Sequence, residues 1–306
     1  MFLLTEVVHA PVMLKEAVDL LNPHAGGIYV DCTLGGGGHA KEILSRVGET
    51  GHLIAFDKDR HAIERSQKVL APYLDRVTFM HRDYRFLADV LKELQIDGVD
   101  GILFDLGVSS YQVLEPERGF SYNYDAPLDM RMDDSSATTA ADLVNTLSEQ
   151  ELGDIIYRFG EERWARRIAS FIVEQRKKAP IKTTGQLTEI IKTAIPAAAR
   201  RKGPHPARRT FMALRIAVND ELSGIEKGLR AGISFLKAGG RIVVISFHSL
   251  EDRIVKRIFR EYAASSQNSL RILTKKPLVP SEQEVLVNPR SRSAKLRAAE
   301  KVFIAG

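Results

Sequence analysis

Short, unbroken apolar runs alternate with amphipathic stretches through the first third of the chain. Ile28–Thr33, His52-Leu53-Ile54-Ala55-Phe56-Asp57, Val77-Thr78-Phe79-Met80 and Gly101-Ile102-Leu103-Phe104-Asp105 have the length and residue type of strands buried on both faces. Between them, Ala40–Arg46, Arg60–Leu70 and Phe86–Leu94 space their apolar residues as helices do. Strands that alternate with helices predict an α/β fold: a parallel sheet covered on both sides.

The rhythm then breaks. The next buried-strand pattern is Arg241-Ile242-Val243-Val244-Ile245-Ser246-Phe247, more than 130 positions after Asp105. A crossover helix with its loops needs only a few tens of residues. The excess reads as mostly helical. Ser148-Glu149-Gln150-Glu151 has the form of a capping box, and Trp164, Ile168, Phe171 and Ile172 follow at helical spacing as a core stripe. Thr183-Thr184-Gly185-Gln186 opens another helix, which Pro196 ends. A helical insertion over about 115–214 thus interrupts a discontinuous domain of 1–114 and 215–306. Beyond it, Phe211–Leu222, Ile225–Leu236 and Asp252–Tyr262 read as helices, Leu270–Thr274 and Lys301–Ala305 as the final strands, and Pro277–Arg297 as a polar loop.

Charge sharpens this division. From Gly153 to Arg209, 14 Lys/Arg stand against 5 Asp/Glu, and the rest of the +5 chain is left slightly negative. A basic block on a near-neutral body is the footprint of a polyanionic partner. One cysteine, Cys32, excludes an internal disulfide and a multi-cysteine metal site, and no metal is expected. No apolar stretch nears the ~20 residues of a membrane span, and Met1 to Ala10 lacks the pattern of a secretory leader. A cytoplasmic protein is expected.

The densest chemical signal is Asp31-Cys32-Thr33-Leu34-Gly35-Gly36-Gly37-Gly38-His39, between a strand and a helix. Glycines there let backbone N–H groups approach a ligand at a helix N-terminus. Gly35-x-Gly37-x-x-Ala40, with Asp57 at the end of the next strand, suits the ribose and adenine of either NAD or S-adenosylmethionine. Three details favour the second. Asp31 would repel a pyrophosphate but serve a cationic amino group. Asp83-Tyr84 ends the third strand, within reach of adenine. Asp105-Leu106-Gly107-Val108-Ser109-Ser110 ends the fourth with polar groups where a transferred methyl would emerge.

Several further motifs carry a family resemblance. They are His9-Ala10-Pro11-Val12-Met13-Leu14, Gly37-Gly38-His39, the Asp105–Ser110 run, Arg118-Gly119-Phe120-Ser121, Pro127-Leu128-Asp129-Met130-Arg131-Met132, Ala213-Leu214-Arg215-Ile216 with Val218-Asn219, and Ser246-Phe247-His248-Ser249-Leu250-Glu251-Asp252-Arg253. In these, over nearly its whole length, the chain resembles the RsmH (MraW) family of bacterial ribosomal RNA methyltransferases. The resemblance implies a class I S-adenosylmethionine-dependent methyltransferase domain, Rossmann-like with a doubly wound sheet, interrupted by a helical substrate domain. It implies methyl transfer to N4 of a cytidine (position 1402 in the customary numbering) in the 16S rRNA decoding centre of the small ribosomal subunit. It assigns cofactor contacts to Gly37, Gly38, His39, Asp57, Asp105, Gln112 and Tyr84, where Tyr84 replaces the family's more familiar Phe.

Cys32 is expected inside the first strand, as a buried structural thiol, which disfavours it as the nucleophile that methylation at C5 of a pyrimidine usually needs. Transfer to nitrogen or oxygen remains. Asp105 is a candidate to hydrogen-bond the amino group, with Ser109 or Ser110 assisting. Phe247 and Tyr111 are candidates to stack on an unstacked cytidine, and His248 to contact phosphate or order its loop. Arg200, Arg201, Lys202, Arg208 and Arg209 form a candidate rRNA clamp in a basic loop. A methyltransferase acting on another RNA or on protein, a nicotinamide-dependent oxidoreductase and a non-catalytic RNA-binding factor stand as alternatives.

Overall fold

The computed structural model describes residues 11–201, 203–265 and 270–302. In chain order the elements are α1 (Leu14–Leu21), β1 (Ile28–Asp31), α2 (Gly38–Val47), β2 (His52–Asp57), α3 (Arg60–Val69), β3 (Val77–His81), α4 (Leu87–Glu93) and β4 (Val99–Asp105). There follow α5 (Ser110–Leu114), α6 (Ala140–Thr146), α7 (Glu149–Gly160), α8 (Ala165–Arg176), α9 (Thr184–Ala194), α10 (Ala197–Arg200), α11 (Arg208–Asn219) and α12 (Glu221–Phe235). The last are β5 (Leu236–Ser246), α13 (Ser249–Ala263), β6 (Leu270–Ile272), α14 (Glu282–Val287) and β7 (Lys295–Lys301). The chain divides into two compact units: 1–107 with 222–306, and 108–221. Among the described residues, no helix is long and apolar enough to cross a membrane.

The first unit is built on a seven-stranded sheet of order β3-β2-β1-β4-β5-β7-β6. Its strands obey the period of two. Tyr29, Leu53, Ala55, Leu103, Val243 and Ile245 point to one face, against Ala17, Val18, Leu21, Ile43 and Leu44 of α1 and α2. Their neighbours Val30, Ile54, Phe56, Ile102, Phe104, Ile242 and Val244 point to the other, against α4, α12 and α13. Most of these side chains are wholly buried, and each large one contributes about 1.5–3 kcal/mol. A sheet packed on both faces exposes only its strand ends, which is where a ligand can reach it.

The parallel sheet expected from the alternating strands and helices of the first third is extended by an antiparallel strand. β1 to β5 run parallel, but β7 is antiparallel to both β5 and β6. The last strand also lies earlier than Lys301–Ala305, whose residues 303–305 fall outside the described ones. It begins at Lys295, inside the stretch read as a polar loop, and that stretch also holds α14 and a 3-10 turn over Pro289–Ser293. Charge hid the strand. Arg297 is only 8% exposed, yet its guanidinium donates to Asp252 at 2.7 Å, and Glu300 accepts from Arg241 and Arg271. A buried ion whose partner is in place does not disqualify a strand.

The second unit is helical around its own core. Ile168 and Ile172 are fully buried, with Trp164 and Phe171 packed partly buried on the same cluster. Ser148 and Glu151 close the expected capping box on α7. Two of the sequence motifs meet here. The Asn219 side chain accepts from Met132 N and donates to the carbonyl of Met130, both at 2.8 Å, and so ties Pro127–Met132 to α11. Asn219→Ala strands a partly buried N–H and C=O. It is expected to destabilise this unit by about 1–3 kcal/mol, measured as a lower denaturant midpoint with an unchanged m-value.

Candidate active site

The glycine run leaves β1 at Asp31 and enters α2 at Gly38. Gly35 and Gly37 take positive φ angles of 51° and 79°, which residues with a Cβ adopt only under strain. A Cβ on Gly38 would lie 2.2 Å from Cγ of Pro11, so the Pro11 segment lies directly on the loop. Asp57, at the end of β2, accepts from Gly35 N at 2.8 Å through Oδ2 and from Asp59 N at 2.9 Å through Oδ1. Thr33 links the neighbouring strands: its N–H donates to Asp31 Oδ1 at 3.0 Å, and its hydroxyl oxygen accepts from Asp105 N at 2.6 Å.

Three carboxyl groups at this edge stand against burial. Asp31, 1% exposed, is pushed up to about 7, chiefly by desolvation and further by the charge of Asp57, against the N–H of Thr33. Desolvation likewise lifts Asp57 to about 6, opposed by the N–H groups of Asp59 and Gly35. Asp105 is raised well above the usual carboxylate range by desolvation, then by Asp31, Glu251 and Glu284. Asp31 Oδ2 and Asp105 Oδ1 are buried oxygens without a hydrogen-bond partner. Buried acceptors left open in this way mark a place built for a donor or a cation. His39 is 6% exposed; its Nε2–H donates to the carbonyl of Val12 at 3.1 Å, which leaves Nδ1 facing Asp105 Oδ2 at 3.7 Å.

Phe247 follows β5, and its ring lies over Gly107, where φ is 92° and a Cβ would sit 3.5 Å from Cδ2. It is partly buried on the α1–α2 side of the sheet. Fully buried Glu251 holds this corner, accepting from Phe247 N at 2.7 Å and from His248 N at 3.1 Å. The Nε2 of His248 lies 3.2 Å from the other carboxylate oxygen of Glu251, and the ring serves as N-cap of α13. His248 thus orders the loop. Thr33 and Glu251 stand within the sequence motifs, but the motifs alone assign a role to neither. The local signal for the role of Glu251 is its place three residues after His248, at a helix start.

The remaining candidates are placed as follows. Asp83 caps the 3-10 turn at Tyr84–Phe86 by accepting from Arg85 N, with Lys58 3.6 Å away. The ring of Tyr84 meets Phe104 edge-on, centroids 5.5 Å apart, beside Gly228. Cys32 is free and buried, and burial pushes its thiol pKa up, as suits a structural thiol. In the second unit, Ser109 caps α5 by accepting from Gln112 N, while the Gln112 side chain accepts from Ser109 N. Ser110 and Gln112 are buried, and Tyr111 is partly exposed. The basic loop is shorter than expected. Arg200 ends α10, Arg208 and Arg209 begin α11, and Lys202 lies outside the described residues. Buried Ala207, and His205 stacked on Tyr122 at 4.5 Å, anchor the return into α11.

The first unit fits the S-adenosylmethionine expected from the sequence. The open oxygens of Asp31 and Asp105 suit a cationic ligand, the glycine loop is held by positive φ at Gly35 and Gly37 and by Pro11 against Gly38, and Asp57 ends the strand next to the loop. A carboxyl whose pKa is higher in the folded than in the unfolded chain holds an extra proton only when folded. That contribution to stability is complete below about pH 4 and is lost as pH rises through the folded value. In cofactor-free protein, Asp31→Asn is therefore expected to raise Tm at pH 8 and to flatten its decline between about pH 4 and 7. An unaltered pH slope in thermal melts would show that Asp31 is ionised when buried.

A family profile described as the MraW methylase family matches residues 6–302. The chain is 55% identical over 307 residues to "Ribosomal RNA small subunit methyltransferase H" of Geotalea uraniireducens (strain Rf4), covering 96% of this chain and 98% of that protein. It is 54% identical over 313 residues to the protein of the same name from Paenibacillus sp. (strain JDR-2), covering 96% and 99%. The corresponding Brevibacillus brevis protein is 52% identical, with coverage of 96% and 98%. The chain belongs to the MraW methylase family.

Proposed function

We propose that this protein transfers a methyl group from S-adenosylmethionine to N4 of a cytidine in the 16S rRNA decoding centre of the small ribosomal subunit, in the cytoplasm. The observation that carries the cofactor is the pair of open, buried oxygens on Asp31 and Asp105 beside the glycine cradle. The names of relatives more than half identical over nearly the whole chain support the rRNA substrate. Membership of a methylase family removes the nicotinamide alternative.

When bound, S-adenosylmethionine supplies an electrophilic methyl group on a positively charged sulfur. Gly37, Gly38, His39, Asp57, Tyr84, Asp105 and Gln112 are the residues proposed to hold it. A cation beside Asp31 and Asp105 favours their ionised forms, reversing the effect of burial. Ionised Asp105 accepts a hydrogen bond from the cytosine amino group, holds it in line and concentrates its lone pair on nitrogen. That positioning supplies several kcal/mol of the barrier reduction. Ser109 keeps its hydroxyl proton available after capping α5, and Ser110 is the second polar assistant. Phe247 and Tyr111 are the proposed stacking surfaces for the unstacked base, where stacking contributes about 1–3 kcal/mol. Arg200, Arg201, Lys202, Arg208 and Arg209 grip rRNA phosphates.

Transfer of a labelled methyl group to immature small ribosomal subunits, with nuclease mapping of the product, tests the assignment. Label in protein, or at a carbon or oxygen of the rRNA, would overturn it. Asp105→Asn should slow single-turnover methylation roughly hundredfold while cofactor affinity, read by calorimetry, falls much less. Loss of affinity in proportion to rate would reduce Asp105 to a cofactor contact. Neutralising the five clamp residues should weaken rRNA binding and flatten its dependence on log salt by about 0.7 for each phosphate no longer gripped. An unchanged slope would place the RNA grip elsewhere.

A further inference from the structure

The tetrapeptide Ser-Glu-Gln-Glu occurs twice, at Ser148–Glu151 and at Ser281–Glu284, each time opening a helix. At the first site both halves of the capping box form: Ser148 accepts from Glu151 N, and Glu151 accepts from Ser148 N at 2.8 Å. At the second, Ser281 accepts from Glu284 N at 3.1 Å, but the Glu284 carboxylate turns away. It accepts instead from the backbone N–H of Met13, at 2.8 Å and 271 residues away. The same local sequence thus gives up its local partner for a long-range one. The recipient is unusual as well, for Met13 is buried at a φ of 50°, a left-handed conformation that an unbranched, bulky side chain resists.

The segment held in this way touches the cofactor loop twice. Pro11 lies on Gly38 where a Cβ would stand. The carbonyl of Val12 accepts from His39 Nε2 at 3.1 Å and so directs Nδ1 toward Asp105. We propose that Glu284 is a positioning residue of the cofactor site, clamping Pro11–Val12–Met13 in a strained conformation so that the segment fixes the glycine loop and the ring of His39. Glu284 acts through the backbone of Met13 and does not itself touch the reacting atoms. This rests on the reading of the site as one for S-adenosylmethionine.

The test uses the full-length protein, S-adenosylhomocysteine calorimetry and steady-state methylation of small subunits. Wild-type protein that fails to bind S-adenosylhomocysteine would sink the cofactor reading itself. Given that binding, Glu284→Ala should weaken it roughly tenfold, the scale of one lost charge-assisted hydrogen bond. KM for S-adenosylmethionine should rise in parallel, with kcat at saturating cofactor and KM for rRNA held within about threefold. Glu284→Gln keeps an acceptor oxygen for Met13 N–H and should recover most of the affinity. It also removes one of the charges around Asp105, which faces His39, Asp31, Glu251 and Glu284. The acid limb of cofactor binding in Glu284→Gln should therefore move to lower pH. Unchanged affinity in Glu284→Ala would overturn the proposal. So would equal losses in cofactor affinity, rRNA affinity and Tm for both variants, which would mark a general structural role.

Discussion

Desolvation of carboxyl groups at the ends of parallel strands is the constraint around which the first unit is arranged. β1, β2 and β4 end in Asp31, Asp57 and Asp105, the first buried and the other two partly buried. Burial favours the neutral acid at each position, and the groups raise one another further. Such an edge is poised to receive positive charge. Thr33 bridges Asp31 and Asp105, and the ring of His39 faces Asp105.

Much of this was legible in the chain because local rules and global packing agree there. Doubly buried strands read as continuous apolar runs, and Ile28, His52, Val77 and Gly101 begin or lie within observed strands. Gly35 and Gly37 were readable because only glycine takes their positive φ at low cost. The Ser148 cap was legible because its hydrogen bonds run between residues three apart. The illegible parts depend on distant partners. β7 hid behind Arg297 and Glu300 because their charges are answered by Asp252, Arg241 and Arg271, far off in sequence. Arg208 and Arg209 read as loop because the anchor of that segment, His205 on Tyr122, joins residues 83 positions apart.

The two units differ in the electrostatics they use. In the first, charge is buried and exact placement of a few groups governs protonation. In the second, most of the basic excess is spread over exposed helix surface, where salt screens it and single substitutions matter little. On the proposed reading, small-ligand selectivity responds to pH and buried geometry, and polyanion affinity to ionic strength and the number of cations.

The place of β7 in the sheet also constrains how the protein is made. It lies between β5 and β6 although it follows both in sequence. Until it arrives, β5 is an open edge with unsatisfied N–H and C=O groups, exposed to pairing with another chain. During synthesis the glycine loop emerges well before Glu284 and β7. The nascent chain thus carries an unfinished sheet and an unclamped loop until Glu284 and β7 have been made, and the same stretch completes both.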